Sequence, residues 1–237
     1  MEEYRARVAT RGLVSFRVAR GESDLVVACE GPLESEARAA LGWHRRELEA
    51  YIAEHPAFLA SLQPVAVHPR APRIVRAMAE AARAAGVGPM AAVAGALAEA
   101  VGRSLLRQSQ EVIVENGGDL FVSVRSERVA LLDTGPSAFG RALGFLIRPD
   151  RGPVGIATSS GTVGGSLSLG RADAACVIAR SAALADAAAT AVGNAVTGAE
   201  GIEAGLARAR AIPGILGVVV VVGSRLGAWG QVELVEA

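Results

Sequence analysis

Alternation of apolar and polar residues marks the first and last parts of this chain as strand-forming. Residues 12–29 alternate and end in the apolar run from Leu25 to Cys29, which predicts a strand pair that Gly31-Pro32 terminates. Further strands are predicted over 111–115, 120–124, 129–132, 142–147, 155–157, 174–179, 215–222 and 231–235. The second half of the chain is therefore expected to be mainly sheet.

Apolar residues at helical spacing occupy most of the stretch between these strands. Residues 33–62 show this spacing, and Pro56 divides a long helix from a short one. Further helices are predicted over 72–85, 89–106, 181–192 and 199–208. Helices clustered before strands predict an α+β fold, formed as one domain over residues 1–237.

The predicted helix at 89–106 consists largely of alanine and glycine. Such small side chains allow a very close approach, either by a neighbouring element or by a ligand. The sequence leaves both interpretations open.

Charge and composition remove several classes of function. The 24 basic and 24 acidic residues balance, so no strongly basic face for nucleic acid is expected. The chain contains no lysine, which excludes a P-loop lysine and Schiff-base chemistry. The N-terminus shows no apolar signal core and no apolar run reaches membrane length, so a cytoplasmic protein without a membrane partner is expected.

Cysteine and histidine offer little chemistry. Cys29 and Cys176 are far apart in apolar surroundings, which predicts two buried free thiols rather than a redox pair or a zinc site. The histidines are His44, His55 and His68, all in the first third of the chain.

Two polar residues stand out on the predicted helix at 181–192. Asp186 and Thr190 are four residues apart, so their side chains share one face of a helix that is otherwise apolar. A carboxylate and a hydroxyl are hard oxygen ligands that suit Mg²⁺. The alternative is structural, with Asp186 capping a neighbouring loop and Thr190 bonding back to its own helix.

A run of small hydroxylated and glycine residues precedes this helix. Residues 158–166 offer hydroxyls and backbone N–H groups in glycine-rich surroundings that favour an anion-binding nest. A phosphate group is the expected guest, and the residues predicted to bind it are Thr158, Ser159, Ser160, Gly161 and Thr162. A solvated loop is the alternative.

Three motifs of the chain, in order, resemble those of the ApbE superfamily of FAD:protein FMN transferases. Asn116-Gly117-Gly118-Asp119, by itself also an ordinary hairpin turn, is similar to the NxGGD motif of that family. Thr158-Ser159-Ser160-Gly161 resembles its TSG loop, and Ala185 to Ala191 resembles its AD-x-x-x-TA motif. The whole chain is most similar to a small ApbE-like branch without a lipoprotein signal.

The resemblance implies a two-layer α+β fold whose C-terminal half is a mostly antiparallel sheet. It also implies a site for FAD or FMN, bound in part by Asn116, Gly117, Gly118 and Asp119, with Mg²⁺ between protein oxygens and the phosphates. Asp186 and Thr190 take the positions of metal ligands, and Asp186 that of a catalytic residue. The reaction would be attack of a hydroxyl on the FAD phosphate nearest the flavin, with release of AMP.

The chain departs from the transferases after residue 161. Ser166-Leu167-Ser168-Leu169-Gly170 stands where they have HxxDPxTG. Three interpretations therefore stay open: a transferase-like enzyme, a non-catalytic flavin- or nucleotide-binding protein, and an enzyme acting on another phosphorylated small molecule. The small-residue helix faces also predict a homodimer.

Overall fold

The chain folds into an N-terminal hairpin, a group of helices and a long series of strands interrupted by two further helices. A computed structural model describes residues 10–135, 137–140, 143–161 and 170–236. The strands are β1 (Val14–Arg20), β2 (Ser23–Cys29), β3 (Val112–Asn116), β4 (Asp119–Ser123), β5 (Arg128–Leu132), β6 (Leu143–Ile147), β7 (Val154–Ser159), β8 (Ala174–Ala179), β9 (Ile215–Val222), β10 (Arg225–Gly230) and β11 (Leu234–Glu236).

The helices carry the apolar stripes that the spacing predicted. They are α1 (Glu34–Glu54), α2 (Ala57–Ala60), α3 (Arg73–Ala85), α4 (Val93–Leu105), α5 (Ala182–Ala195) and α6 (Ile202–Arg210). Short 3₁₀ turns lie at Pro89–Ala92, Pro149–Arg151 and Ala199–Gly201. Pro56 separates α1 from α2, as predicted, and Gly86 ends α3 in the left-handed conformation.

Within the described residues, the strands form an eight-stranded sheet and a three-stranded sheet. The large sheet has the order β1-β2-β3-β4-β7-β8-β9-β10, and the small sheet has the order β11-β6-β5. The strand pairings described in both sheets are antiparallel. The predicted α+β class and antiparallel sheet are confirmed.

Both faces of the large sheet carry buried side chains. Side chains such as Val114, Phe121 and Val177 point to one face and form the main core with the helices. Their sequence neighbours point to the other face, where part of the sheet is covered by the small sheet through Leu132 and Phe145. The predicted pair of helical and sheet layers is therefore present, and the small sheet adds a partial layer behind it.

Helices α4 and α5 pack very closely against each other. A Cβ atom added to Gly95 would lie 2.1 Å from the carbonyl oxygen of Ala182, and one added to Gly102 would lie 2.1 Å from the Phe121 ring. Close packing therefore accounts for these small residues. This contact also sets the distance between the two helices at the site described below.

One strand of the large sheet was not predicted. Strand β10 holds two glycines and few apolar side chains, and it forms because it pairs with the strongly apolar β9, with Trp229 opposite Val218. The strand predicted over 231–235 begins only at Leu234. Tertiary pairing overrides local propensity at this edge.

No single helix in the described part of the chain is both long and apolar enough to cross a membrane. One bent pair, Arg73–Ala85 with Pro89–Leu105, passes that test of length and composition only when its two helices are taken together, and they are bent by 105°.

Candidate functional site

A cavity of about 1130 Å³ opens between the helices and one end of the large sheet. Its walls come from α1, α4 and α5, from the β3–β4 turn and from the end of β7. The predicted site residues that line it are Asn116, Gly117, Asp119, Thr158, Ser159, Ser160, Asp186 and Thr190. The fold thus brings three separated sequence segments to one place.

The Asn116–Asp119 segment is a two-residue hairpin turn. Asn116 pairs with Asp119 across it, and Gly117 and Gly118 have φ angles of +65° and +106°, a backbone that only glycine adopts without strain. Asn116 points towards the helices and donates from Nδ2 to the carbonyl oxygen of Ala94 at 3.0 Å. The turn is therefore structural, and it also places Asn116, Gly117 and Asp119 in the cavity wall, while Gly118 lies outside that wall.

Asp186 lies on α5 and faces the first turn of α4. Its Oδ2 atom accepts a hydrogen bond from the backbone N–H of Gly95 at 2.9 Å, and the N–H of Ala94 also donates to the carboxylate. These N–H groups have no partner within their own helix, so Asp186 caps α4 from a neighbouring element. The structural role considered from the sequence is present, although it is a helix that Asp186 caps.

Asp119 lies close to Asp186 in the cavity wall. Burial raises its pKa well above the ordinary value, and the negative charges of Asp186 and Glu115 raise it further, against a hydrogen bond from the backbone N–H of Thr158. Burial likewise raises the pKa of Asp186 to about 7. Two carboxylates that resist ionisation therefore lie side by side, and neither has a basic partner within the described residues.

The Thr158–Gly161 segment differs from the predicted loop. Thr158 and Ser159 still belong to β7, paired with Cys176 and Ala175, because the main-chain ladder continues through them. The Thr158 hydroxyl bonds to Cys176, whose side chain packs in the core behind the sheet. The contact of Thr158 with Asp119 is therefore made by its backbone N–H. Ser159 and Ser160 are buried in the cavity wall.

Gly161 lies just beyond the cavity wall. Its N–H donates to the carbonyl oxygen of Ala172, and a Cβ atom there would lie 2.3 Å from the carbonyl oxygen of Gly170. Its role in the structure is close packing of two backbone segments. Thr162 lies outside the described residues.

The oxygen atoms that could bind a metal ion in this cavity come from two carboxylates and a hydroxyl group. Among the described residues, no group of three or more His, Cys, Asp and Glu side chains could hold a metal ion. Asp119, Asp186 and Thr190 together offer two carboxylates and a hydroxyl on one cavity wall. This donor set suits Mg²⁺, which prefers oxygen ligands and completes its shell with water and phosphate.

One polar residue of the wall was missed from the sequence. Asn194 lines the cavity one turn beyond Thr190 on α5. The spacing Asp186, Thr190, Asn194 continues at four-residue intervals, so the helical face predicted for the first two contained the third.

The opposite wall of the cavity is apolar and was also missed. It comes from α1, α2 and the segment before α4, through Leu48, Ile52, Leu59, Leu62, Val87 and Met90. Leu59 and Leu62 are 54% and 63% exposed, which places them at the mouth. Apolar helix residues ordinarily indicate core, so only the tertiary structure identifies these as a cavity wall.

A cluster of charged side chains lies at the edge of the apolar wall. Arg45 donates to Glu22 Oε2 at 2.6 Å, to Glu49 Oε1 at 2.9 Å and to Ser23 Oγ at 2.8 Å. Because Glu22 lies in the β1–β2 turn and Ser23 directly follows it, these bonds join α1 to that turn. The bond to Glu49 lies within α1.

Comparison with known proteins places this chain in a family. A family model described as AbpE bacteria matches residues 5–224 of the chain. The chain belongs to this ApbE-like family. Its relatives include the UPF0280 protein of Methanocaldococcus jannaschii, 44% identical over 81% of this chain and 81% of the relative. Another is the UPF0280 protein of Methanosarcina barkeri, 39% identical over 90% of this chain and 85% of the relative.

Solved structures agree on the fold of this ApbE-like chain. The apo form of the flavinyl transferase ApbE from Pseudomonas stutzeri matches with a TM-score of 0.56 at 18% identity, over 98% of this chain and 97% of that one. The flavin transferase ApbE from Vibrio cholerae matches with a TM-score of 0.50 at 14% identity, over 95% and 98%. The family membership predicted from the three motifs is confirmed.

Proposed function

We propose that the cavity binds a flavin nucleotide, FAD or FMN, or a related phosphorylated ligand, together with Mg²⁺. The observation that carries the proposal is the meeting of Asp119, Asp186 and Thr190 on one wall of a cavity in an ApbE-like fold. The raised pKa values of Asp119 and Asp186 support cation binding, because a bound metal ion offsets the cost of burying two negative charges close together.

The shape and polarity of the cavity support a nucleotide of this kind. Its polar wall presents Ser159 and Ser160 beside the acidic pair, where phosphate oxygens and the metal would lie. Its apolar wall suits a flat ring system, since such rings bind by burial against apolar side chains. A volume of about 1130 Å³ has room for both parts of such a ligand.

The further step in this proposal is transfer. An acceptor hydroxyl oxygen would bond to the phosphorus nearest the flavin, the bond from that phosphorus to the AMP oxygen would break, and the hydroxyl proton would pass to solvent. Mg²⁺, when bound, supplies positive charge to the pyrophosphate. Asp186 and Thr190 would hold it, and Asp119 would add a second carboxylate.

A second candidate function is binding without turnover. The segment Ser166–Gly170 lacks the HxxDPxTG sequence of the transferases, and none of the three histidines lines the described part of the cavity. Incubation with FAD, Mg²⁺ and a threonine-containing acceptor distinguishes the candidates. Release of AMP with flavin on the acceptor supports transfer, and bound FAD without AMP supports binding alone.

The test of ligand binding is a titration with FAD, FMN and ADP, each with Mg²⁺ and with EDTA. We expect a change in flavin fluorescence and a rise in unfolding temperature that require Mg²⁺. Asp119→Asn should weaken both responses, whereas Asp150→Asn, an exposed carboxylate away from the cavity, should leave them unchanged. If the native protein responds to none of the three ligands, with or without Mg²⁺, the proposal is excluded.

A further inference from the structure

A second concavity lies on the other side of the β1–β2 turn. It has a volume of about 760 Å³ and is open to solvent. Its charged lining consists of three arginines, Arg20, Arg38 and Arg46, against one glutamate, Glu34. In a chain with zero net charge, this is a local excess of positive charge.

The arginines of this concavity differ in how they are compensated. Arg38 Nη2 bonds to Glu34 Oε1 at 2.6 Å. The side chains of Arg20 and Arg46, by contrast, have no hydrogen bond or ion pair within the described residues. Nearby arginines do have acidic partners: Arg17 bonds to Asp24 and Arg45 to Glu22.

The two uncompensated guanidinium groups converge over Gly42. A Cβ atom on this glycine would lie 2.9 Å from Nη1 of Arg20 and 3.4 Å from Nη1 of Arg46. Two cations that share one space repel each other, and an anion between them would remove that cost. Arginine donors at such a site match the oxygens of a phosphate group.

The position of Gly42 is itself unusual. It lies buried within the 21-residue helix α1, where glycine destabilises a helix by about 1 kcal/mol relative to alanine. The glycines of α4 make room for the Ala182 backbone and the Phe121 ring, whereas Gly42 makes room for the ends of two charged side chains. Close packing of elements therefore does not account for it.

We propose that Arg20 and Arg46, with Gly42 between them, form a binding site for a phosphate or pyrophosphate group. The site is separate from the Asp119 and Asp186 cavity, and it needs no metal ion. A short anion fits better than a nucleic acid, because α1 also carries Glu34, Glu36, Glu47, Glu49 and Glu54, which would repel an extended polyanion.

The experiment is a calorimetric titration of the protein with inorganic pyrophosphate in EDTA at low ionic strength. Trp43, adjacent to Gly42 and 57% exposed, offers a fluorescence signal for the same titration. We expect binding that weakens as NaCl rises, and an affinity at least about tenfold lower in the double variant Arg20→Gln, Arg46→Gln. The control double variant Arg83→Gln, Arg107→Gln removes the same charge from other exposed positions and should keep the affinity within about twofold.

Gly42→Ala separates loss of the site from loss of the fold. The added methyl group would displace the Arg20 guanidinium, so affinity should fall severalfold, while the unfolding temperature should not fall. Titration with ADP tells whether a nucleotide diphosphate binds as well as free pyrophosphate. Equal pyrophosphate affinity in the native protein and the Arg20, Arg46 double variant would overturn the proposal. It would also be overturned if a short RNA bound more tightly than pyrophosphate and the double variant bound that RNA equally well.

Discussion

Helices α4 and α5 each provide a carboxylate that accepts hydrogen bonds from the N-terminal end of the other helix. Glu99 of α4 accepts hydrogen bonds from Ser181 Oγ at 2.8 Å and from the N–H of Ala182 at 2.7 Å, at the start of α5. Asp186 of α5 accepts from the N–H groups of Gly95 and Ala94, at the start of α4. Each helix therefore caps the other.

The two carboxylates differ in what surrounds them. Glu99 pairs with Arg103 at 2.7 Å and lies outside the cavity wall. Asp186 lies close to Asp119 in the cavity wall, and burial raises its pKa to about 7. A capping carboxylate that serves only the fold is compensated within the protein, as Glu99 is. Asp186 has no basic side chain beside it within the described residues, which is why it is the proposed ligand of a cation.

The largest effect is expected from Asp186→Asn. The amide keeps the side-chain shape and an acceptor for α4, but it removes the charge proposed to hold Mg²⁺. We expect the affinity for FAD in Mg²⁺ to fall about 100-fold, roughly 2.7 kcal/mol. The variant should also unfold at a higher temperature than the native protein at pH 8 in EDTA, since one buried negative charge is gone. A flavin titration and a thermal melt measure the two effects, and unchanged affinity would remove Asp186 from the metal site.

The pH dependence should be the next largest effect. Because the pKa of Asp186 is raised in the folded state, the unfolded chain releases this proton at lower pH than the folded one does. The contribution of Asp186 to stability without metal should therefore fall as pH rises from about 4 to about 7, and then level off. Protons compete with the metal in that range, so the affinity for Mg²⁺ should be about tenfold weaker at pH 6 than at pH 8.

Isothermal titration with MgCl₂ at the two pH values tests this prediction. Asp186→Asn should remove this component from the pH dependence of stability, whereas Glu99→Gln should preserve it. A difference in stability between the native protein and Asp186→Asn, measured in EDTA, that does not change from pH 4 to pH 7 would contradict the assignment of this titration.

A smaller loss is expected from Thr190→Val. The substitution keeps the shape of the side chain and removes the hydroxyl oxygen proposed as a neutral metal ligand. FAD affinity in Mg²⁺ should fall about fivefold, roughly 1 kcal/mol. Thr197→Val, at an exposed threonine outside the cavity wall, is the matched control. Equal affinities in the two variants would leave Thr190 with a structural role alone.

The smallest effect on binding is expected from Glu99→Gln. The cap of α5 loses its charge and its pairing with Arg103, so the free energy of unfolding should fall by about 1 kcal/mol. FAD affinity should stay within about twofold of the native value, because Glu99 does not line the cavity. Chemical denaturation and the flavin titration give the two numbers. A large loss of FAD affinity in Glu99→Gln would mean that Glu99 also supports ligand binding and does not serve the fold alone.

Much of the site could be predicted because its polar residues interrupt local patterns. Asp186 and Thr190 stand out from an alanine-rich helix, and the next residue on that face, Asn194, follows the same spacing. The glycines of the β3–β4 turn are needed for positive φ angles, so the turn itself is encoded locally. The Thr158 hydroxyl was placed wrongly in a loop, because continuation of the β7 ladder depends on the neighbouring strand β8.

The sequence by itself determined the order of helices and strands apart from β10, the α+β class, the ApbE-like family and the choice of Asp119, Asp186 and Thr190 as candidate site residues, since these follow from periodicity and short motifs. Cytoplasmic location and a homodimer stay predictions. Only the tertiary structure decided that Asp186 caps α4 and lies close to Asp119, that Leu48 and Met90 line a cavity rather than a core, and that Arg20 meets Arg46 over Gly42. Each of these depends on distances between elements far apart in the chain, and no local pattern encodes such distances.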